Sequence, residues 1–195
     1  MPATSYLILG LLLFLGAHSV RIVAEDWRRA QIARLGANGW KGLYSLVSIA
    51  GFALIIWGYG QARLAPQVLW ATPKGMAHLA ALLTLVAFVL LVAAYVPGNH
   101  IKSRLRHPMI LGVKTWALAH LLANNTLADL LLFGGFLVWA VLDFRAARQR
   151  DRAEPPAPLP ATPAATGVTV IVGLAAWAGF AFWAHAAWIS VRPFG

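Results

Sequence analysis

The sequence predicts an all-α, polytopic membrane helix bundle of about six transmembrane helices. Three observations predict it. The 195-residue chain is 60% hydrophobic and 11% charged, where a soluble domain carries about 25% charged residues. Its mean hydropathy is +0.70. The apolar residues also fall in long blocks separated by short basic loops.

About 20 apolar residues span the hydrocarbon core of a bilayer. Six segments meet that length: 5–24, 42–60, 76–96, 108–124, 127–144 and 167–190. The first is followed by five more, so it reads as a retained helix and not a cleaved signal peptide. Pro97 and Gly98 in "YVPGNH" end the third segment. Pro108 restarts the chain as a helix in its first turn, where a missing N–H costs nothing. Asn124 and Asn125 make a tight turn, so segments four and five form a helical hairpin. "Small-xxx-small" patterns and the Gly134–Gly135 pair are expected to let helices pack closely. Residues 151–166, "DRAEPPAPLPATPAAT", carry five prolines and read as a semi-rigid extended linker. The domain reading is therefore a transmembrane domain over 1–150, a linker over 151–166 and an appended C-terminal helix over 167–195.

The formal net charge of +10 follows from topology and does not point to nucleic acid, because the basic loops are short and contain no recognition module. Eleven of the sixteen Lys and Arg residues lie in the loops after segments one, three and five; Arg63, Lys74 and Arg192 lie on the opposite side. The excess places the odd-numbered loops in the cytoplasm and both termini outside, in an inner (cytoplasmic) membrane. The chain has no cysteine, which excludes disulfides, thiolate metal sites and thioether-linked haem. Any metal or haem must use histidine, carboxylate or neutral side chains.

Ionisable groups inside membrane helices are functional candidates by default. His18, Arg21 and Glu25 share i, i+3, i+7 spacing; Arg21 and Glu25 are placed to snorkel and pair at the cytoplasmic surface, whereas His18 lies deeper. His107 precedes Pro108 at a helix entrance, where it serves equally as a capping group or a ligand. His120 lies 13 residues further on, about 20 Å along a helix and on nearly the opposite side, so the two cannot ligate one ion together. Lys114, in the second turn, snorkels with difficulty and is expected to pair with an acid or a haem propionate. His78 and His185 read as interfacial, His100 as solvated, and Asp129 and Asp143 as surface residues near the ends of segment five. Haem b fits these groups better than zinc: neutral imidazoles from two helices can take its axial positions while cations meet its propionates, and no paired histidines at i, i+4 occur. A proton or ion pathway lined by the same groups stays open.

Five stretches together resemble the NnrU family of bacterial integral membrane proteins. They are "GAHSVR" (16–21), "GLYSLVSIAGFALIIWGYGQAR" (42–63), "AAYVPGNHI" (93–101), "LRHPMILGVKTWALAHLLANN" (105–125) and "LLFGGFLVWAVLDF" (131–144). The family commonly has glycine at the position of Asn125; asparagine also visits left-handed conformations. The resemblance implies a link to nitrite and nitric oxide metabolism in denitrifying bacteria. It also implies kinship with the 15-cis-ζ-carotene isomerases, membrane enzymes that need histidine-ligated haem b. By that likeness His120, the histidine of "WALAH", is a haem ligand, with His18 its partner and His107 the substitute; a haem so held is expected to have Arg21 and Lys114 near its propionates. Helix rise sets His18 and His120 ~10 Å apart in depth. The implied role is redox or isomerase-like chemistry on an apolar small molecule. The competing expectations are a non-catalytic assembly or transport factor for denitrification enzymes and a small-solute or proton pathway.

Overall fold

A computed structural model describes residues 3–194. The chain is helical nearly throughout: α1 (Ala3–Val23), α2 (Glu25–Ala62), α3 (Met76–Tyr95), α4 (His100–Leu105), α5 (Pro108–Ala123), α6 (Leu127–Ala153), α7 (Pro163–Gly179) and α8 (His185–Ile189). A π-helical turn, Phe180–Ala184, joins α7 to α8. Five helical runs are long and apolar enough to cross a membrane; α5, at 16 residues, is shorter. Their apolar side chains face outward: Leu46, Ile49 and Ile171 are each about two-thirds exposed, the pattern of helices solvated by lipid. The protein is a multi-pass membrane protein.

The chain divides into two compact units. The first comprises residues 1–71 and 125–143. Its main seam is α1 against α2, and glycine makes it possible. A Cβ on Gly10 would stand 2.6 Å from the Ile55 nitrogen, and one on Gly51 2.7 Å from the Phe14 nitrogen. A Cβ on Gly58 would meet the Leu7 nitrogen. Pairing 7 with 58, 10 with 55 and 14 with 51 makes the two helices antiparallel. Gly134 and Gly135 make no such approach: a Cβ on either meets only ordinary contacts of 3.5 Å or more. The close packing expected at that pair therefore falls elsewhere. α2 is broken at Gly36, whose φ of 74° and ψ of 162° lie in a region open essentially to glycine alone. The basic stretch before it is thereby set off from the apolar stretch after it.

The second unit comprises residues 72–124 and 144–195. Here α3 packs against α5, with a Cβ on Gly112 3.1 Å from the Ala87 carbonyl oxygen. It also packs against α7, where a Cβ on Gly173 would lie 2.8 Å from the Val89 Cα. Trp177 donates its indole N–H to Thr84 Oγ1 (3.1 Å) across the same seam. The "PGN" break holds as expected, with Gly98 at φ 67°. Asn99, 1% exposed, caps the short helix α4 by accepting from the Lys102 N–H and donates to the Ala93 and Val96 carbonyls. Pro108 is the first residue of α5. α6 continues to Ala153, beyond the expected segment end, because Arg, Gln and Ala are good helix formers even where they are not apolar. The proline-rich stretch is tied down: Arg106 donates to the Ala157 carbonyl, Ser103 to that of Leu159, and the Thr162 N–H to that of Gly98.

Candidate functional site

In the first unit, three helix faces enclose His18. On α1, Phe14 lies one turn before it, with the rings stacked 4.3 Å apart. From α2 comes Tyr44, 5.2 Å from the imidazole, and Phe52, 5.9 Å from Phe14. From α6 comes Trp139, perpendicular to His18 at 6.0 Å, and Phe136, 5.8 Å from Phe14. His18 Nδ1 lies 2.7 Å from the Phe14 carbonyl oxygen. A carbonyl only accepts, so Nδ1 carries a proton, which in the neutral imidazole leaves the lone pair on Nε2.

Arg21, one turn further along α1, is exposed. It does not pair with Glu25 as expected. α1 ends at Val23, Ala24 has non-helical angles, and Glu25 opens α2. Its carboxylate accepts instead from Arg28 (2.8 and 2.9 Å) and Arg29 (3.2 Å), on its own helix.

The other candidates lie in the second unit. His120 repeats the His18 arrangement: its Nδ1 is 2.9 Å from the Trp116 carbonyl oxygen, four residues back, and its ring lies 5.1 Å from the indole. His107 precedes α5 without capping it through its side chain. Its Nε2 bonds to Asp151 Oδ2 at 2.9 Å, and Arg148 stands 3.7 Å from the same oxygen. Lys114 is half-buried, with its amine 5.9 Å from the Phe144 ring centre, and no acid pairs with it among the described residues. The Phe144 ring thus gathers Lys114 on one contact and His107, 6.3 Å away, on another.

Two further residues differ from their sequence reading. His100 is not simply solvated: its backbone N–H and its Nδ1 both bond to Thr166 Oγ1 (3.0 and 2.9 Å), fastening α4 to α7. Asp129 is not a surface residue but is 5% exposed. Its Oδ1 accepts from the Tyr59 hydroxyl (2.6 Å) and its Oδ2 from the Thr126 hydroxyl (2.6 Å) and N–H (3.0 Å). The Asp129 N–H donates back to Thr126 Oγ1 at 3.2 Å. This reciprocal pairing is a capping box, and its Thr-x-x-Asp spacing before an apolar run is visible in the sequence. A cavity of about 160 Å³ beside this turn is lined by Thr4, Gln61, Gln67 and Leu127 among others.

Among the described residues no three His, Asp or Glu side chains converge to hold a metal ion. Taken singly, the imidazoles of His18 and of His120 each have the form of a side chain that would hold a haem iron. Each gives its Nδ1 proton to a backbone carbonyl, the arrangement that orients a ligating histidine and raises its basicity.

Long apolar helices, lipid-facing side chains and histidines with their Nδ1 protons committed define a polytopic membrane protein with candidate ligands inside its helices. The chain belongs to the NnrU family: it matches the family described as NnrU protein over residues 6–193, the C-terminal helix included. Membership associates it with nitrite- and nitric oxide-related membrane proteins. No curated protein and no solved structure matches the chain.

Proposed function

We propose that this protein binds haem b through His18 and His120 and serves nitrite or nitric oxide metabolism in the bacterial inner membrane. The observation that carries the reading is the shared geometry of the two histidines. Each lies in an apolar helix, and each commits Nδ1–H to the carbonyl four residues back, the tautomer whose neutral ring carries its lone pair on Nε2. Lys114, a half-buried cation against an aromatic face, has the charge to meet a propionate, and Arg21 supplies a second cation. His107, whose Nε2 is engaged by Asp151, is the weaker ligand candidate.

Bound haem b supplies an iron that exchanges electrons and binds small ligands. The residues of this chain hold it, fix imidazole orientation and keep water away with aromatic walls. Purification with ample haem tests the reading. A Soret band is expected in the wild type and lost in both His18→Ala and His120→Ala. Colourless wild-type protein under those conditions overturns it.

A further inference from the structure

The apolar run from α7 through the π-helical turn to α8, Pro163–Ile189, is 27 residues long. At helical rise it spans about 40 Å, against a hydrocarbon core of ~30 Å. Its start is held among polar groups: Thr166 bonds His100 of α4, the short helix that also carries Lys102 and Arg104. The excess length therefore falls at the far end, and the side chains there agree. Trp183 and Trp188 are 67% and 72% exposed, as suits tryptophans at a membrane–water interface. A cation, Arg192, follows them.

The chain then folds back as a hook. Ser190 ends α8 in a left-handed conformation (φ 60°). His185 Nδ1–H donates to the Val191 carbonyl at 2.8 Å, and Phe194 stacks on Phe182 with ring centres 5.2 Å apart. Beside the hook lies a cavity of about 480 Å³, a size in the range of ligand pockets. It is lined by the small Ala186 and Ala187, by the rings of Phe182, Trp183 and Phe194, and by one charged group, Arg192. Phe182 and Trp183 belong to the π-helical turn, an irregularity that recurs at functional sites. Arg192 is exposed and pairs with no acid among the described residues.

We propose that this cavity binds one anionic phospholipid, its phosphate on Arg192 and an acyl chain along Phe182 and Trp183. The lining asks for both halves of such a ligand. A free anion would leave the aromatic walls uncovered, and a wholly apolar molecule would leave the guanidinium unmatched. A phosphate suits the planar fork of arginine, which can meet two of its oxygens at once. A zwitterionic headgroup brings its own cation beside the guanidinium, so a net negative headgroup is favoured. This site does not depend on haem binding.

The test titrates the full-length protein, in mild detergent, with phosphatidylglycerol or phosphatidylcholine and counts bound lipid by native mass spectrometry. Wild type is expected to hold one phosphatidylglycerol about ten-fold more tightly than phosphatidylcholine, as one charge-assisted contact allows. Arg192→Gln should abolish that preference; the side chain is exposed and ion-paired to nothing described, so the fold should survive its loss. Phe182→Ala leaves the charge alone and should weaken phosphatidylglycerol through the apolar wall, an independent report of the same site. Lys74→Gln removes an exposed cation outside the cavity lining and should change nothing. Equal losses in Lys74→Gln and Arg192→Gln reduce the effect to net charge and overturn the site. So does equal wild-type affinity for the two lipids, or phosphatidylglycerol binding untouched by Phe182→Ala. Displacement of the lipid by inorganic phosphate at similar concentration assigns the cavity to a free anion and overturns the lipid.

Discussion

Asp129 shows how much one side chain can hold when a helix start is buried. Its carboxylate accepts from Thr126 locally and from Tyr59 across 70 residues, so one group both starts α6 and pins it to α2. Tyr59→Phe leaves Asp129 Oδ1 without its donor and is expected to cost about 1–2 kcal/mol. Asp129→Ala should cost more, because it strips the acceptor from both Thr126 and Tyr59. The double variant should cost less than the sum of the two, since the Tyr59–Asp129 bond is lost only once. Thermal unfolding in detergent reads all three; strict additivity sinks the assignment. The residue scale also marks where sequence reading stops. Thr126-x-x-Asp129 is visible as a spacing, but Tyr59 is not, because nothing local pairs positions 70 apart. His18 and His120 are legible as histidines too deep for solvation, whereas the commitment of each Nδ1 depends on helix register and rotamer.

The long helices follow from the length of their apolar blocks, and their starts and stops follow from Pro97, Gly98 and Pro108. What escapes is whatever hydrophobicity does not mark. α4 is too short to show a period, and the last turns of α6 are helical but basic. The chain turns at Asn125 without a left-handed residue: the positive-φ non-glycine residues described are Arg106 and Ser190. Asn125 instead accepts the Leu69 N–H, and the Leu127 N–H donates to Gln67. Glycine gives the sharpest expectation at this scale. Gly58→Ala places a methyl against the backbone of Tyr6 and Leu7, and must separate α1 from α2 at a cost of about 1–3 kcal/mol. Gly134→Ala meets nothing nearer than 3.7 Å and should be neutral or slightly stabilising, since alanine restricts the unfolded backbone. Denaturation of the two variants side by side checks the contrast. A Gly58→Ala protein as stable as Gly134→Ala contradicts the seam.

At the scale of the whole molecule, the short helix α5 decides the topology. Sixteen residues rise about 24 Å, less than the ~30 Å hydrocarbon core, so its length alone leaves open whether it crosses. Connectivity gives an expectation. The end of α2 and the start of α6 lie on one side, because Val68 bridges Thr126 and the Leu69 N–H bonds to Asn125. Between them the chain makes one full-length crossing, α3, and must return to the side it left. α5 is the remaining apolar helix available, so it is expected to cross. Six crossings together with the charge bias of the loops predict that Arg28, Arg29, Arg34, Lys102, Arg104, Arg106 and the arginines of 145–152 face the cytoplasm. Alkaline phosphatase, active only outside the cytoplasm, should therefore be active when fused after Trp70 or at the C-terminal end and silent when fused after Glu154. A reporter that folds only in the cytoplasm should show the reverse. Activity after Glu154 together with silence after Trp70 would invert the orientation while keeping six crossings. Opposite results at Trp70 and at a fusion after Asn125 would remove α5 as a span.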